Sequence, residues 1–541
     1  MSTADTADAS DVPPVVRDLL RISLNAKEYR FLHKAALSRF PPALQNKLPS
    51  PSRYDALARP RNKHSEAAVR ASLRVFLGSG LALKLTDLLL ARNILVILTS
   101  TYLHVYLCFF RSKTRTPLLR SPNFRLSISL SLLLLIHRIL YRFLVRLRAN
   151  LRTEDARPFC ERNPRISRAL TSRFAPAVGA SLAGFALGIC PQDQLRLTVA
   201  IYTSTRSLEF LFNVLDEKGY LDKRPWWFGS WLLMPVSCAQ LFHAFVFDRE
   251  TTPKWFGNVI LKLSPSYIQS RPESLPSNVP WPEKEEIVDS LASIADLRWP
   301  AFVSPILHPG DPNTLPSLVK AISPITGPAH PSISNLSCAL LHPNVPTCST
   351  AFLHHILLSV PKLARFLTAV TLALSIPRIK TILTQPITSV NTISKRIITL
   401  TAVLSAAVGS AWGSVCLLNS SLPRSTLPTK RFFLSGAIGG LPFLFFNSRG
   451  TFLYFFRAAV DSAYKTGVKR GLWKGGKAGE LTLFVLSWAL MGSILEVRPS
   501  AVQGGGLRKG LAFLRGDGFA DPVEKANRKA RRGKKAEEKT G

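Results

Sequence analysis

Acidic residues are scarce in this chain. Its 541 residues hold 33 Asp and Glu against 70 Lys and Arg, a formal net charge of +37. In a soluble protein such an excess points first to nucleic acid. Two further absences argue against that partner. The basic stretches lack interleaved aromatics of the base-stacking kind, and no RNA- or DNA-binding motif occurs. Cysteine is sparse as well. Seven cysteines, odd in number and scattered, do not form a disulfide framework. Cys108, Cys190, Cys238 and Cys416 lie in or beside apolar runs, where cysteine behaves as a small hydrophobe. There is no GxSxG, no HExxH and no phosphate-cradling glycine loop at a strand–helix junction, so no enzyme and no cofactor are expected.

Addressing signals are missing too. The opening MSTADTADASDVPP has no basic stretch leading into an apolar core, and it is not Arg-rich and acid-poor. Neither a secretory signal nor a cleaved presequence is expected. The final AEEKTG is no peroxisomal or retrieval tripeptide. The expectation is an intracellular organelle membrane, entered through internal signals.

What is present is segregation. Hydrophobic residues make up 46% of the chain and gather in runs of low charge, with the basic residues between them. That pattern predicts an all-α, polytopic helical membrane protein. Candidate spans are 93–110, 126–144, 174–190, 195–214 and 226–247 in the first half. In the second half they are 352–374, 397–418, 432–446, 451–466 and 481–495. Eight or ten crossings fit, because 195–214 and 451–466 can span or lie flat. The organisation reads as a polar, basic N-terminal region 1–70, a first transmembrane module 71–247, a Pro-rich loop 248–347 with short amphipathic pieces at 255–263 and 283–297, a second module 348–500 and a basic tail 501–541.

The halves align without a gap at an offset of 252 residues. Gly184 then pairs with Gly436, Gly188 with Gly440, Tyr202 with Tyr454 and Gly219 with Gly471, while Glu209 falls on Asp461 and Lys218 on Arg470. Two repeated modules of four to five helices follow as the expectation. Gly184 and Gly188, Gly436 and Gly440, and Gly409 and Gly413 each lie four apart on one helix face. Small residues at that spacing let backbones approach closely in lipid, either inside one bundle or at a homo- or hetero-oligomer interface. Tyr202, Arg206 and Glu209 share one face, as do Tyr454, Arg457 and Asp461. A charge among lipid tails is costly, so both sets predict ion pairs facing protein or headgroups, or else a polar path. Arg138, Arg142 and Arg146 recur every four residues and lead into Arg148 and Arg152, a polybasic run that fits positive-inside orientation first and also suits anionic headgroups of the bilayer.

Residues 338–355 read CALLHPNVPTCSTAFLHH. The spacing C-x3-H-x5-C-x5-HH matches no common zinc pattern. The leading reading is a helix entry: Pro343 and Pro346 suit a turn, and Thr347 or Ser349 an N-cap. A Cys338–Cys348 disulfide and a metal site are the alternatives, and no metal ligand is assigned.

A family resemblance rests on three stretches. LHPNVPTCSTAFLHHIL, with Cys348 at its centre and Cys338, His342 and Pro343 at its entry, resembles the opening of the second half of the transmembrane protein 135 family. FFLSGAIGGLPFLFFNSRGTFLYFFRAAVDSAYKTGVKRGL and LRLTVAIYTSTRSLEFLFNVLDEKGYL resemble that family's glycine-rich span and Tyr-bearing helix. The resemblance covers roughly 71–270 and 336–500. A double arginine with an acid, frequent in the family before the second Tyr, is replaced here by NSRGTFLY. The resemblance implies a non-enzymatic multi-pass protein of mitochondrial or peroxisomal membranes, concerned with organelle dynamics and lipid homeostasis. It also implies glycine-rich repeats similar to those of mitochondrial preprotein translocase channels and a peroxisomal membrane protein. The rival expectation is a transporter or channel using the interface between the two repeats.

Overall fold

A computed structural model of the chain describes residues 18, 22–35, 50–57, 63–91, 121–190, 194–225, 227–273, 276, 280–307, 315–474 and 479–540. Among these residues the fold is all-α, and the β structure found is one antiparallel bridge, Ala301 to Asn335. Helices are named below by their first residue. Five are long and apolar enough to cross a membrane: Pro122–Asn150, Ser230–Phe247, Cys348–Ser375, Pro386–Ser421 and Gly479–Val497. A sixth candidate is bent by 87°, joining Pro164–Thr171 to Ala175–Ile189. The stretches 195–214 and 451–466 are helical, within Gln194–Glu217 and Arg449–Lys469, but are not among those five. The stretch 432–446 forms the shorter Arg431–Phe445. The span expected at 93–110 lies outside the described residues.

The chain divides into two compact units, 1–223 with 476–541, and 224–475. This division differs from the expected modules 71–247 and 348–500. The Leu233 helix (Leu233–Phe247) belongs to the second unit, and the Gly479 helix to the first.

In the first unit the Pro122 helix packs on Lys63–Ala91 and on Ala175–Ile189, and the Gly479 helix packs on Gln194–Glu217 and on Ala175–Ile189. Glycine makes the last contact close. A Cβ on Gly184 would stand 2.9 Å from Val485 Cγ2, and one on Gly188 would stand 3.2 Å from Leu481 Cδ1. The expected basic tail is partly folded. Gly505–Arg515 packs on the Pro122 helix and buries Leu511 and Ala512, and Pro522–Thr540 is a further helix. Arg508 clamps Asp521 at 2.7 Å between them.

In the second unit the Leu233 helix lies against Arg431–Phe445 and Arg449–Lys469, and the Pro386 helix lies between the Cys348 and Arg431 helices. Here backbone meets backbone. A Cβ on Gly436 would come 2.5 Å from the Cys238 carbonyl oxygen, and one on Gly440 2.5 Å from Pro235 Cα. Gly409 faces Phe352 and His355, and Gly413 faces Phe352 and Tyr267. These small-residue faces are therefore filled by helices of the same unit.

Within 248–347 both expected amphipathic pieces are helical, as Lys254–Leu263 and Lys284–Asp296. Lys284–Asp296 opens on a reciprocal cap, in which the Glu283 backbone N–H donates to Glu286 at 3.0 Å. Its inner face buries Ile287, Val288, Leu291 and Ile294. Trp299, held at φ 56°, is fully buried and donates from Nε1 to the Pro428 carbonyl oxygen at 3.0 Å. These residues share one core with Cys338 and Leu341 of Leu336–Leu341 and with Trp412, Val415 and Cys416 of the Pro386 helix.

Candidate metal centre

That core contains four side chains that stand out chemically. Cys338, His342, Cys348 and Cys416 bring three sulfurs and one imidazole nitrogen within 4.8 Å of one another. Three elements deliver them. Leu336–Leu341 carries Cys338 and ends at His342. A turn containing Pro343 and Pro346 leads to Thr347, whose Oγ1 accepts from the Thr350 backbone N–H at 3.2 Å and caps the next helix. Cys348 is the first residue of that helix, and Cys416 lies one turn before the end of the Pro386 helix at Ser421. The two helices pack side by side, which puts both cysteines at the same end of the pair.

The details are specific. The sulfurs of Cys338 and Cys348 are 3.9 Å apart, and all described cysteines are free thiols. His342 Nδ1 donates to the Val345 carbonyl oxygen at 3.0 Å. That leaves Nε2, buried and without a hydrogen-bond partner, as the nitrogen offered to the sulfurs. Cys338, His342 and Cys416 are all at most 5% exposed. Burial alone would lower the His342 pKa, but the neighbouring sulfurs of Cys338 and Cys348 outweigh it and push it up to about 10.

The surroundings hold the sulfurs in place. Asn419, one turn beyond Cys416, donates to Ser337 Oγ at 3.1 Å, next to Cys338. Its Oδ1 accepts from Arg431 Nη1 at 2.9 Å. Arg431 is wholly buried. Its guanidinium is satisfied by the carbonyl oxygens of Leu422, Pro423 and Thr426, and it stacks over Trp299 at 5.2 Å. Trp412, one turn before Cys416, donates to Ser264 Oγ at 2.8 Å. His355 does not join the cluster. It hydrogen-bonds Ser266 at 2.7 Å, and His354 is exposed.

The spacing C-x3-H-x5-C takes in only three of the four side chains that the fold brings together. The fourth side chain, Cys416, comes from a distant apolar helix and was read there as a small hydrophobe. Arg431 and Asn419 were missed as well. A lone arginine opening the apolar run RFFLSGAIGG was the available signal for the first, and nothing in the spacing marked the second.

The other singled-out residues lie elsewhere. Arg206 donates to Glu209 at 2.7 Å and stacks over Tyr202, with Glu209 buried and Tyr202 exposed. Asp461 accepts from Lys465 at 2.7 Å, while Tyr454 and Arg457 are half-buried on the same helix. Within the polybasic run, Arg138 donates to the carbonyl oxygens of Ala67 and Phe513, and both Arg148 and Arg152 to that of Thr171. These three have backbone acceptors inside their own unit. Arg142 is half-buried and Arg146 exposed. No family model, no curated protein and no solved structure matches this chain.

Proposed function

We propose that this chain is a multi-pass protein of an intracellular organelle membrane. It is built from two related modules and acts without enzymatic chemistry in mitochondrial or peroxisomal organisation and lipid homeostasis, as the resemblance to transmembrane protein 135 implies. The observation that carries the membrane reading is the surface of the Cys348 helix. Its apolar window, of mean hydropathy 1.5, is only 11% buried, and Leu353, Leu357, Phe366 and Leu372 face outward. Exposed apolar surface costs roughly 25 cal/mol per Å² in water, and a bilayer removes that cost.

A matching order of elements supports the two modules. The sequence Pro122 helix, broken Ala175 helix, Gln194 helix, Gly219 turn, Leu233 helix recurs as Pro386 helix, broken Arg431 helix, Arg449 helix, Gly471 turn, Gly479 helix. Gly219 and Gly471 stand at φ 79° and 68°. Each closes its helix with a backbone bond back over five residues, Tyr220 to Leu215 and Leu472 to Gly467. The last helix of each module packs in the unit that holds the other module's preceding helices.

Closed glycine seams inside each unit support a scaffold over a conduit, since a gap below one methyl group leaves no path along them. Anionic headgroups against Arg146 remain part of the proposal. The test is alkaline carbonate extraction of cells expressing the tagged chain, with imaging against mitochondrial and peroxisomal markers. Retention in the pellet and overlap with either marker is expected. Release into the supernatant would overturn the membrane reading, and solute flux in proteoliposomes would replace the scaffold by a transporter.

A further inference from the structure

We propose that Cys338, His342, Cys348 and Cys416 bind one Zn²⁺ in a closed, structural Cys3His site. The site fastens Leu336–Leu341, with the core residues packed around it, to the Cys348 and Pro386 helices.

The first argument is the spacing of the sulfurs. Thiolates on a tetrahedral zinc sit about 2.3 Å from the ion, so they lie about 3.8 Å from each other. Cys338 and Cys348 are 3.9 Å apart. A disulfide brings sulfurs to about 2.0 Å. Three sulfurs also cannot all pair, whereas three sulfurs and a nitrogen complete a tetrahedron.

The second argument is the histidine. A ligating imidazole commonly donates its other N–H to a carbonyl, which fixes the ring and the tautomer. His342 does this through Nδ1 to Val345 and leaves Nε2 buried with no hydrogen-bond partner. A buried nitrogen without a partner costs free energy unless something binds it. A metal ion supplies that partner.

The third argument is the setting. The ligands lie in an apolar core, on elements rigidified by the Thr347 cap and by the chain Arg431–Asn419–Ser337. Four protein ligands leave no open position, so the site is structural rather than catalytic. Thiolate and imidazole suit zinc better than magnesium or calcium, which take oxygen ligands. Zinc binding by free thiols further places this end of the helix pair in a reducing compartment.

The experiment uses the full chain, purified in detergent without a polyhistidine tag. Metal is measured by mass spectrometry, and zinc release is followed with a chromogenic chelator on addition of an organomercurial. One zinc per chain, freed only when the thiols are blocked, is the expected result. C416S and C338S should lose it. Because these variants can fail to fold, C416H is the second variant: it preserves a tetrahedral Cys2His2 set and should keep zinc. Wild-type protein with no metal, with iron or copper in place of zinc, or with a Cys338–Cys348 disulfide found by peptide mapping would overturn the proposal.

Discussion

Arg470 donates to Asp248 at 2.6 Å across 222 positions of sequence, and Lys469 reaches the same carboxylate at 3.1 Å. The other unit has an equivalent pair of opposite sense, Arg498 to Glu217 at 3.7 Å. Each pair joins the end of a Tyr-bearing helix to the end of the helix packed on it. Each ion pair thus ties together two helices of its own unit.

Asp248→Arg should therefore lower the abundance of the folded protein, because Asp248 is buried and two cations converge on it. Adding Arg470→Asp and Lys469→Glu should restore much of the loss. Abundance in the membrane fraction and thermal stability in detergent measure both. Equal damage in the single and triple variants would show that the charges are not coupled.

How much of this was legible in the sequence depended on the range of the interaction. The Cys348 and Pro386 helices were readable because a long apolar run states its own length requirement. The Gly219 and Gly471 turns were readable as a matched pair, and their left-handed backbone gives the reason for glycine. The amphipathic pieces at 255–263 and 283–297 were readable and form Lys254–Leu263 and Lys284–Asp296, but the core they build within 248–347 was not. Its helices are short, and Trp299 finds its partner at Pro428. The Cys338–His342–Cys348–Cys416 cluster was not readable for the same reason, since Cys416 belongs to it only through folding.

Gly440→Ala should destabilise the second unit by about 1–3 kcal/mol, the usual cost of overpacking, because the new methyl meets the Pro235 backbone and not a yielding side chain. Gly450→Ala meets nothing within 4 Å and serves as the control. Thermal denaturation in detergent compares them. Equal midpoints would mean that the seam relaxes at little cost.

Arg431→Met should be destabilising by roughly 2–5 kcal/mol, since it strips donors from Asn419 and three carbonyl oxygens at a buried site. Arg431→Lys should recover only part, because one ammonium cannot reproduce the planar fork. Limited proteolysis after residue 421 reads the effect. Full protection in Arg431→Met would remove the network from the account.

Glu209→Ala should lower abundance more than Asp461→Ala. Glu209 Oε2 is the acceptor for Arg206 and its side chain is 2% exposed, whereas the Asp461 side chain is 17% exposed. Immunoblotting of membrane fractions checks the order. Normal abundance with an altered organelle phenotype in the Glu209 variant would mark a functional polar site instead.

The split of the first unit into two stretches of chain also imposes an order on biosynthesis. The second unit is one unbroken stretch, 224–475, and can close as soon as that stretch has left the ribosome. The first unit has to wait. Gly188 meets Leu481 only after almost 300 further residues are made, which at roughly 5–20 residues per second takes about 15–60 s. Throughout that interval the face of the Ala175 helix that receives the Gly479 helix stands uncovered. A premature stop anywhere before 479 leaves that face permanently open, so nascent chains of this protein reveal their completeness to quality control through their N-terminal half.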